Sequence, residues 1–383
     1  MITLPQSGRL RVAHLARVLR PATPAVLGYL GVQLIGLAVL ALMSGRTNLS
    51  TTELLGHWDG QWFLEIAGHG YRQPVTVDGN GVPGENSLVF FPLYPALIAS
   101  VMFFGPSPLW SAMIVTTVAG MCATLGLFVL GRELSGPRTG TVLALLWAGA
   151  PGSAALHMAY SESLFVAVVA WSLVMLLQRR WLPAAGFAVL AGLTRATSVA
   201  LIAALAVCAL IAIVRRQDGW RPWAAALLAP VGLGAHLVFV ALRTGRLDGW
   251  YWLEDEAWKM QFDWGRFTFD RVSAGLTSDA AVWVGMTALV MIGAVVLLLW
   301  SYLERVPVFL HVYSTLLLVP TLTSSNFLQS RARFMLPAVT LFIPLAMLLA
   351  KLPNRVLALL LPVGALAGSW YGAFLMTSAH MNP

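Results

Sequence analysis

The sequence predicts an all-α, polytopic membrane protein forming a single domain over residues 1–383, and three observations carry that prediction. Hydrophobic residues make up 58% of the 383 and charged residues only 10%, against roughly 25% charged in a soluble globular chain. Mean hydropathy is +0.77. The apolar residues come in blocks of about 15 to 23 separated by short charged loops, the length a helix needs to cross a ~30 Å hydrocarbon core. Disordered, collagen-like and disulfide-framework classes are excluded by the same composition.

Windows of about 19 residues give eleven candidate spans, near 25–44, 109–131, 139–157, 161–178, 181–194, 196–214, 222–242, 280–302, 306–325, 334–350 and 354–378. A further apolar stretch, 90–105, is shorter and carries Pro92 and Pro95. Orientation decides its status. Arg9, Arg11, Arg17 and Arg20 precede the first span with no acid among them, so the positive-inside rule places the N-terminus in the cytoplasm. With 90–105 lying along the outer surface as a juxtamembrane helix, 14 basic and 3 acidic residues fall inside, against 10 basic and 13 acidic outside. A full crossing there would turn the basic clusters Arg132/Arg138, Arg179/Arg180, Arg215/Arg216/Arg221, Arg305 and Lys351/Arg355 outward. The first span reads as an uncleaved anchor, because its apolar run is about 20 residues and lacks a small-x-small cleavage site.

The net charge of +8 does not mark a nucleic-acid binder, because the basic residues sit in ones and twos at helix ends rather than on one face. Cys122 and Cys208 fall inside apolar segments and are expected to be buried free thiols.

Two outer loops are too long to be connectors, whose median is about 4–6 residues: 45–108, which contains the juxtamembrane helices, and 243–279. The first holds His57-Trp58-Asp59-Gly60-Gln61-Trp62-Phe63-Leu64-Glu65-Ile66-Ala67-Gly68-His69-Gly70-Tyr71. Trp58, Trp62 and Ile66 recur every four residues, which predicts a short amphipathic helix at the membrane interface. Asp59 stands at its start and reads two ways: as a helix N-cap, or as a carboxylate held where a lipid-borne substrate presents its headgroup. Phe90-Phe91-Pro92-Leu93-Tyr94-Pro95 follows, with prolines suited to starting a helix and aromatics suited to an interfacial belt.

At these residues the sequence resembles the PIG-V family of membrane mannosyltransferases, in the GT-C class of polyprenyl-phosphate-sugar-dependent enzymes. The carrying patterns are W-D-x-x-W-[FY]-x-x-I-A-x-x-G-Y at Trp58 to Tyr71, F-F-P-L-Y-P at Phe90 to Pro95, and Tyr160-Ser161-Glu162-Ser163-Leu164-Phe165. Weaker echoes are Gly192-Leu193-Thr194-Arg195 and Arg333-Phe334-Met335-Leu336-Pro337-Ala338. The resemblance implies a GT-C-type fold of many transmembrane helices, with two juxtamembrane helices in the first outer loop. It also implies a catalytic acid in that loop, at the position of Asp59. Arg outnumbers Lys 22 to 2, which suggests a bacterial source and hence the bacterial cytoplasmic membrane, with the active site on the extracytoplasmic face.

The chemistry so implied moves a hexose, expected to be mannose, from a polyprenyl phosphate to a hydroxyl of a lipid or other acceptor. One carboxylate within reach of the acceptor hydroxyl serves as base, which makes Asp59 the candidate and inversion the outcome. A retaining enzyme would need a second acid about 5 Å away. Charge developing on the phosphate calls for convergent cationic donors, and the outer-side candidates are Arg333 and Arg195 first, then Arg331, His57, Arg72 and Lys259. Arg331 and Arg333 read equally well as residues snorkelling to headgroups. Glu162 reads either as a functional carboxylate at membrane depth or as a structural partner of Arg195 or Arg333.

Trp58, Trp62, Tyr94, Tyr160, Glu162 and Trp252 are the candidates for acceptor or sugar binding. In the second loop, Trp250, Tyr251, Trp252 and Trp258 alternate with acids; interfacial anchoring and a sugar-binding groove both account for them. No metal-ligand spacing is visible among Asp248, Asp255 and His57, so no metal or other cofactor is expected. A transporter or flippase is the alternative class, but it places its charges near the bilayer midplane, whereas these concentrate at the outer boundary. A non-catalytic scaffold is a third. Acceptor identity and oligomeric state leave no trace in the sequence.

Overall fold

A computed structural model describes residues 20–277 and 280–383. Arg9, Arg11, Arg17 and Asp279 lie outside the described residues. The chain is helical throughout its ordered elements, with only two isolated β-bridges among the described residues.

In order, the helices are α1 (Thr23–Ser44), α2 (Thr51–Leu55), α3 (Asp59–His69), α4 (Leu93–Met102), α5 (Pro108–Ser135), α6 (Pro137–Ala148), α7 (Glu162–Leu177), α8 (Trp181–Gly192) and α9 (Val199–Val214). Then come α10 (Arg221–Leu228), α11 (Val231–Thr244), α12 (Gly249–Glu256), α13 (Arg266–Thr277), α14 (Val282–Ser301), α15 (Val308–Thr323), α16 (Arg331–Met335), α17 (Ile343–Leu349) and α18 (Asn354–Thr377). Prolines in the first turn open α1, α5, α6, α10 and α17, where the missing N–H costs nothing.

Six helical segments are long and apolar enough to cross a membrane: Arg20–Ser44, Pro108–Ser135, Ala196–Val214, Arg221–Thr244, Val282–Ser301 and Asn354–Thr377. Leu328–Met335 and Val339–Leu349 make a seventh if this pair, bent by 72°, counts as one span. The protein is therefore a multi-pass membrane protein. The remaining expected crossings are α6, α7, α8 and α15, of 12 to 16 residues. By length alone, six or seven of the eleven expected crossings qualify. The difference arises because hydropathy windows read through apolar turns, such as the one at Pro151-Gly152, as though they were helix. The stretch expected to lie along the surface forms α4, whose ten residues span about 15 Å, half the hydrocarbon core.

α7 is the central helix. All of its residues except Trp171 and Leu177 are buried, the signature of a helix apolar on every side. It packs on α5 and α8, and its N-terminus presents Glu162 to one end of the bundle. Cys122 and Cys208 are free, but Cys122 is exposed, because it lies on the outward face of α5 rather than in the core.

Polar contacts sort the loops onto two ends. At one end Arg138 bonds Leu352 O and Asn354, Gln178 bonds Glu133, and Arg179 pairs with Asp218. At the other, Arg46 reaches Ser378, Asn326 bonds Trp258 O, and Asn382 bonds Asp59. These are the two groups into which charge sorting divides the loops.

Candidate active site

The second of these ends holds a cavity of about 460 Å³. Its floor is charged: Asp59, Arg195, Arg333 and Glu254 line it, with Ser161, Thr194 and Asn382. Its walls are apolar, including Val199, Leu316, Leu317 and Pro320 on one side and Phe63, Phe90, Trp250 and Trp258 on another.

Asp59 is the first residue of α3, where the helix dipole favours a carboxylate. The residue before it, Trp58, has φ 51 and ψ −121, a conformation that costs an L-residue about 1–3 kcal/mol. That strain turns the chain so that the carboxylate faces the cavity. The N-cap reading of Asp59 is corrected: Trp58 holds the cap position and no side chain caps the helix. The carboxylate is engaged elsewhere. Arg333 Nη1 donates to Oδ2 at 2.6 Å, and Asn382 Nδ2 donates to Oδ1 at 3.1 Å.

Arg333 is 3% exposed, and a charge so buried must be paired. Besides Asp59, its Nε lies 3.8 Å from Glu162 Oε1, and its guanidinium stands over the Tyr160 and Phe334 rings at 4.9 and 5.1 Å. The Tyr160 hydroxyl donates to Asn382 Oδ1 at 3.0 Å, so Asn382 is oriented by one partner while it bonds the other. Glu162 also accepts from Arg195 Nη1 at 2.7 Å. As the first residue of α7, it too gains from the helix dipole. Asp59–Arg333–Glu162–Arg195 is thus one chain of alternating charge.

Gly152 lets this chain form. It has φ +90, and a Cβ there would lie 2.6 Å from Ala332 C and 2.7 Å from Arg333 N. Only glycine allows the turn before α7 to touch the backbone of α16.

Asp59, Arg195 and Arg333 therefore meet in one cavity, with Glu162 and Tyr160 packed behind them. Trp62 does not line the cavity but packs on two residues that do, stacked on Phe90 at 5.9 Å and edge-on to Trp258 at 6.0 Å. Tyr94 is buried, bonds Thr116, and packs on Phe63 at 5.0 Å, supporting the wall without entering it. Trp58 is half-buried against the α1–α2 corner.

Five other candidates lie elsewhere. Arg331 is buried with its guanidinium donating to Thr321 O, Ser324 Oγ, Ser324 O and Asn326 O, where it holds the loop after α15. His57 bonds Gln61 at 3.0 Å and leans on Trp58. Arg72 is exposed. Trp252 lies under Arg246 at 4.8 Å, beside a separate hollow with Pro74, Val75 and Arg243. Lys259 pairs with Glu256 at 3.6 Å on the surface.

Glu254 and Asn382 line the cavity but are absent from the sequence-based candidates. Glu254 shares a four-residue spacing with Trp250 and Trp258, a periodicity that could have singled it out among the three acids of its helix. Burial, reinforced by the negative charge of Asp59 and partly offset by Arg195, pushes its carboxyl up to about 7. Asn382 carries no sequence signal, since only the folded chain brings it to Asp59, 323 residues away. Among the described residues no three of His, Cys, Asp and Glu stand together to hold a metal ion.

No protein-family profile and no curated protein sequence matches the chain. Solved structures do. ArnT from Cupriavidus metallidurans bound to undecaprenyl phosphate superposes with a TM-score of 0.52 at 16% identity, over 87% of this chain and 61% of that one. The apo oligosaccharyltransferase of Archaeoglobus fulgidus gives 0.51 at 12% identity, over 91% of this chain and 56% of that one. The fold is of the GT-C type. At such identities the likeness concerns the fold alone, and the chain spans about three-fifths of the length of these neighbours. The resemblance to PIG-V rests on the motif residues.

Proposed function

We propose that the chain is an inverting, PIG-V-like glycosyltransferase of the GT-C class. It moves mannose from a polyprenyl phosphate to a hydroxyl of a lipid or other acceptor, at the outer face of a bacterial cytoplasmic membrane, with its N-terminus in the cytoplasm. The observation that carries this reading is the cavity in which one carboxylate, Asp59, and two guanidiniums, Arg333 and Arg195, stand together at one end of an apolar bundle. The apolar wall formed by Val199, Leu316, Leu317 and Pro320 suits a lipid tail. One fold neighbour is a structure with undecaprenyl phosphate bound, which supports a polyprenyl phosphate as the donor.

The donor phosphate sits against Arg195 and Arg333, where charge-assisted hydrogen bonds bind it. It competes with Asp59 for Arg333. As the phosphate takes the guanidinium, Asp59 loses its shortest hydrogen bond and is free to accept one from the acceptor hydroxyl. The acceptor oxygen attacks the anomeric carbon, its proton passes to Asp59, and the bond from that carbon to the phosphate oxygen breaks. Polyprenyl phosphate departs with the electron pair, its growing charge held by the two arginines. A single displacement inverts the anomeric centre.

A transporter would concentrate its polar residues near mid-membrane, whereas this charged network lies at one end of the bundle. The test is to supply membranes containing the protein with labelled polyprenyl-phosphate-mannose. Label appearing in a second lipid or protein, in the anomeric configuration opposite to the donor's, supports the reading. Label that crosses the membrane still on its donor supports the transporter.

A further inference from the structure

The cavity contains a group that the proposed reaction leaves unused. α12 carries Trp250 and Glu254 one turn apart, Trp258 follows at the same spacing, and all three line the cavity. One indole is held by a hydrogen bond and the other by ring packing. Trp250 Nε1 donates to Val89 O at 3.3 Å. Asn326 Nδ2 donates to Trp258 O at 3.3 Å, and the Trp258 ring packs edge-on against Phe90 at 5.8 Å.

Glu254 is differently placed from the other acids of the site. Asp59 and Glu162 each accept a hydrogen bond from an arginine, at 2.6 and 2.7 Å. No described side chain or backbone group donates to the Glu254 carboxyl, although that carboxyl faces the cavity. Glu254 is half-buried, so its unpartnered carboxyl is open to a ligand that donates to it. A phosphodiester cannot donate to it and brings negative charge, which the ionised carboxyl disfavours. A polyhydroxylated ring can, because its hydroxyls donate to the carboxyl while its apolar face lies on an indole.

Resting on the reading of the cavity as a glycosyl-donor site, we propose that Trp250, Glu254 and Trp258 form the subsite for the hexose unit itself. Glu254 hydrogen-bonds ring hydroxyls, and the phosphate is held apart from it by Arg195 and Arg333. Selectivity for a sugar-bearing over a sugar-free lipid phosphate then resides in the second outer loop.

The experiment measures binding of two probes, polyprenyl phosphate and polyprenyl-phosphate-mannose, to the full chain in lipid nanodiscs. Wild type is compared with Glu254→Ala and Glu254→Gln. The expected result is that Glu254→Ala weakens the sugar-bearing probe by about tenfold, the loss of one hydrogen bond, while sugar-free affinity is unchanged or tighter. Glu254→Gln, which keeps the shape and a hydrogen-bonding group, falls between. Equal changes for both probes, or none for either, overturn the subsite. If the wild type binds neither probe, the donor reading beneath it fails instead. Unchanged sugar-free binding in each variant shows that the cavity is folded.

Discussion

Arg333 donates to Asp59 at 2.6 Å across 274 residues of sequence, joining the first outer loop to the bent segment near the C-terminal end of the chain. Neither residue sits there cheaply. Arg333 is almost wholly buried, and Asp59, whose side chain is 22% exposed, follows a strained Trp58. Strain and buried charge persist where the surrounding structure over-determines them, and they cluster at functional sites.

Glu162→Gln should destabilise the protein. It removes the one carboxylate shared by Arg195 and Arg333. Breaking a buried ion pair on one side costs about 3–5 kcal/mol; with Arg195 19% exposed, the lower end applies. Thermal unfolding in detergent checks this, and an unchanged midpoint would show that the pair contributes little.

Gly152→Ala should lower both stability and activity. The dihedral alone costs about 1–3 kcal/mol, and the new methyl presses on the backbone that carries Arg333. A melting-temperature scan with a transfer assay on the same sample should show both falling. A variant as stable and active as wild type would mean that this close approach does not position Arg333.

Donor affinity should depend on pH through Glu254. Its carboxyl is raised from the ordinary 4.5 to about 7 by burial and by Asp59, with Arg195 opposing. Below that pH it is neutral; above it, a negative charge shares the cavity with the donor's phosphate. Arg333 and Glu162, the other charges nearby, form ion pairs on the floor. Donor binding therefore takes up a proton, and affinity falls as pH rises through about 7. KM for the donor measured between about pH 6 and 8.5 should rise in wild type and stay level in Glu254→Gln. Parallel profiles would exclude Glu254 as the titrating group.

Composition and block length made the membrane class legible, because the bilayer constrains composition directly. The number of crossings was less legible: turns such as Pro151-Gly152 are as apolar as the helices they interrupt. Asp59, Arg195 and Arg333 could be named because charges are rare here, and each rare charge at the outer boundary is conspicuous. Arg331 is as conspicuous as Arg333 in sequence, yet it bonds carbonyls of its own loop. Two residues on one short helix face opposite ways, and sequence does not say which enters the cavity. Glu254 was hidden for a related reason: it sits among Asp255 and Glu256, and only helix phase separates it from them. Asn382 depends on a tertiary contact that no local pattern encodes.

The central claim is that Asp59 accepts the proton of the attacking hydroxyl in hexosyl transfer. The most direct measurement is the rate of mannose transfer from labelled polyprenyl-phosphate-mannose by purified wild type and Asp59→Asn, with donor binding measured on the same samples. Loss of a general base costs about 10²–10⁴ in rate. A fall of that size in Asp59→Asn with donor binding retained is the predicted result. Transfer by Asp59→Asn at the wild-type rate would contradict it.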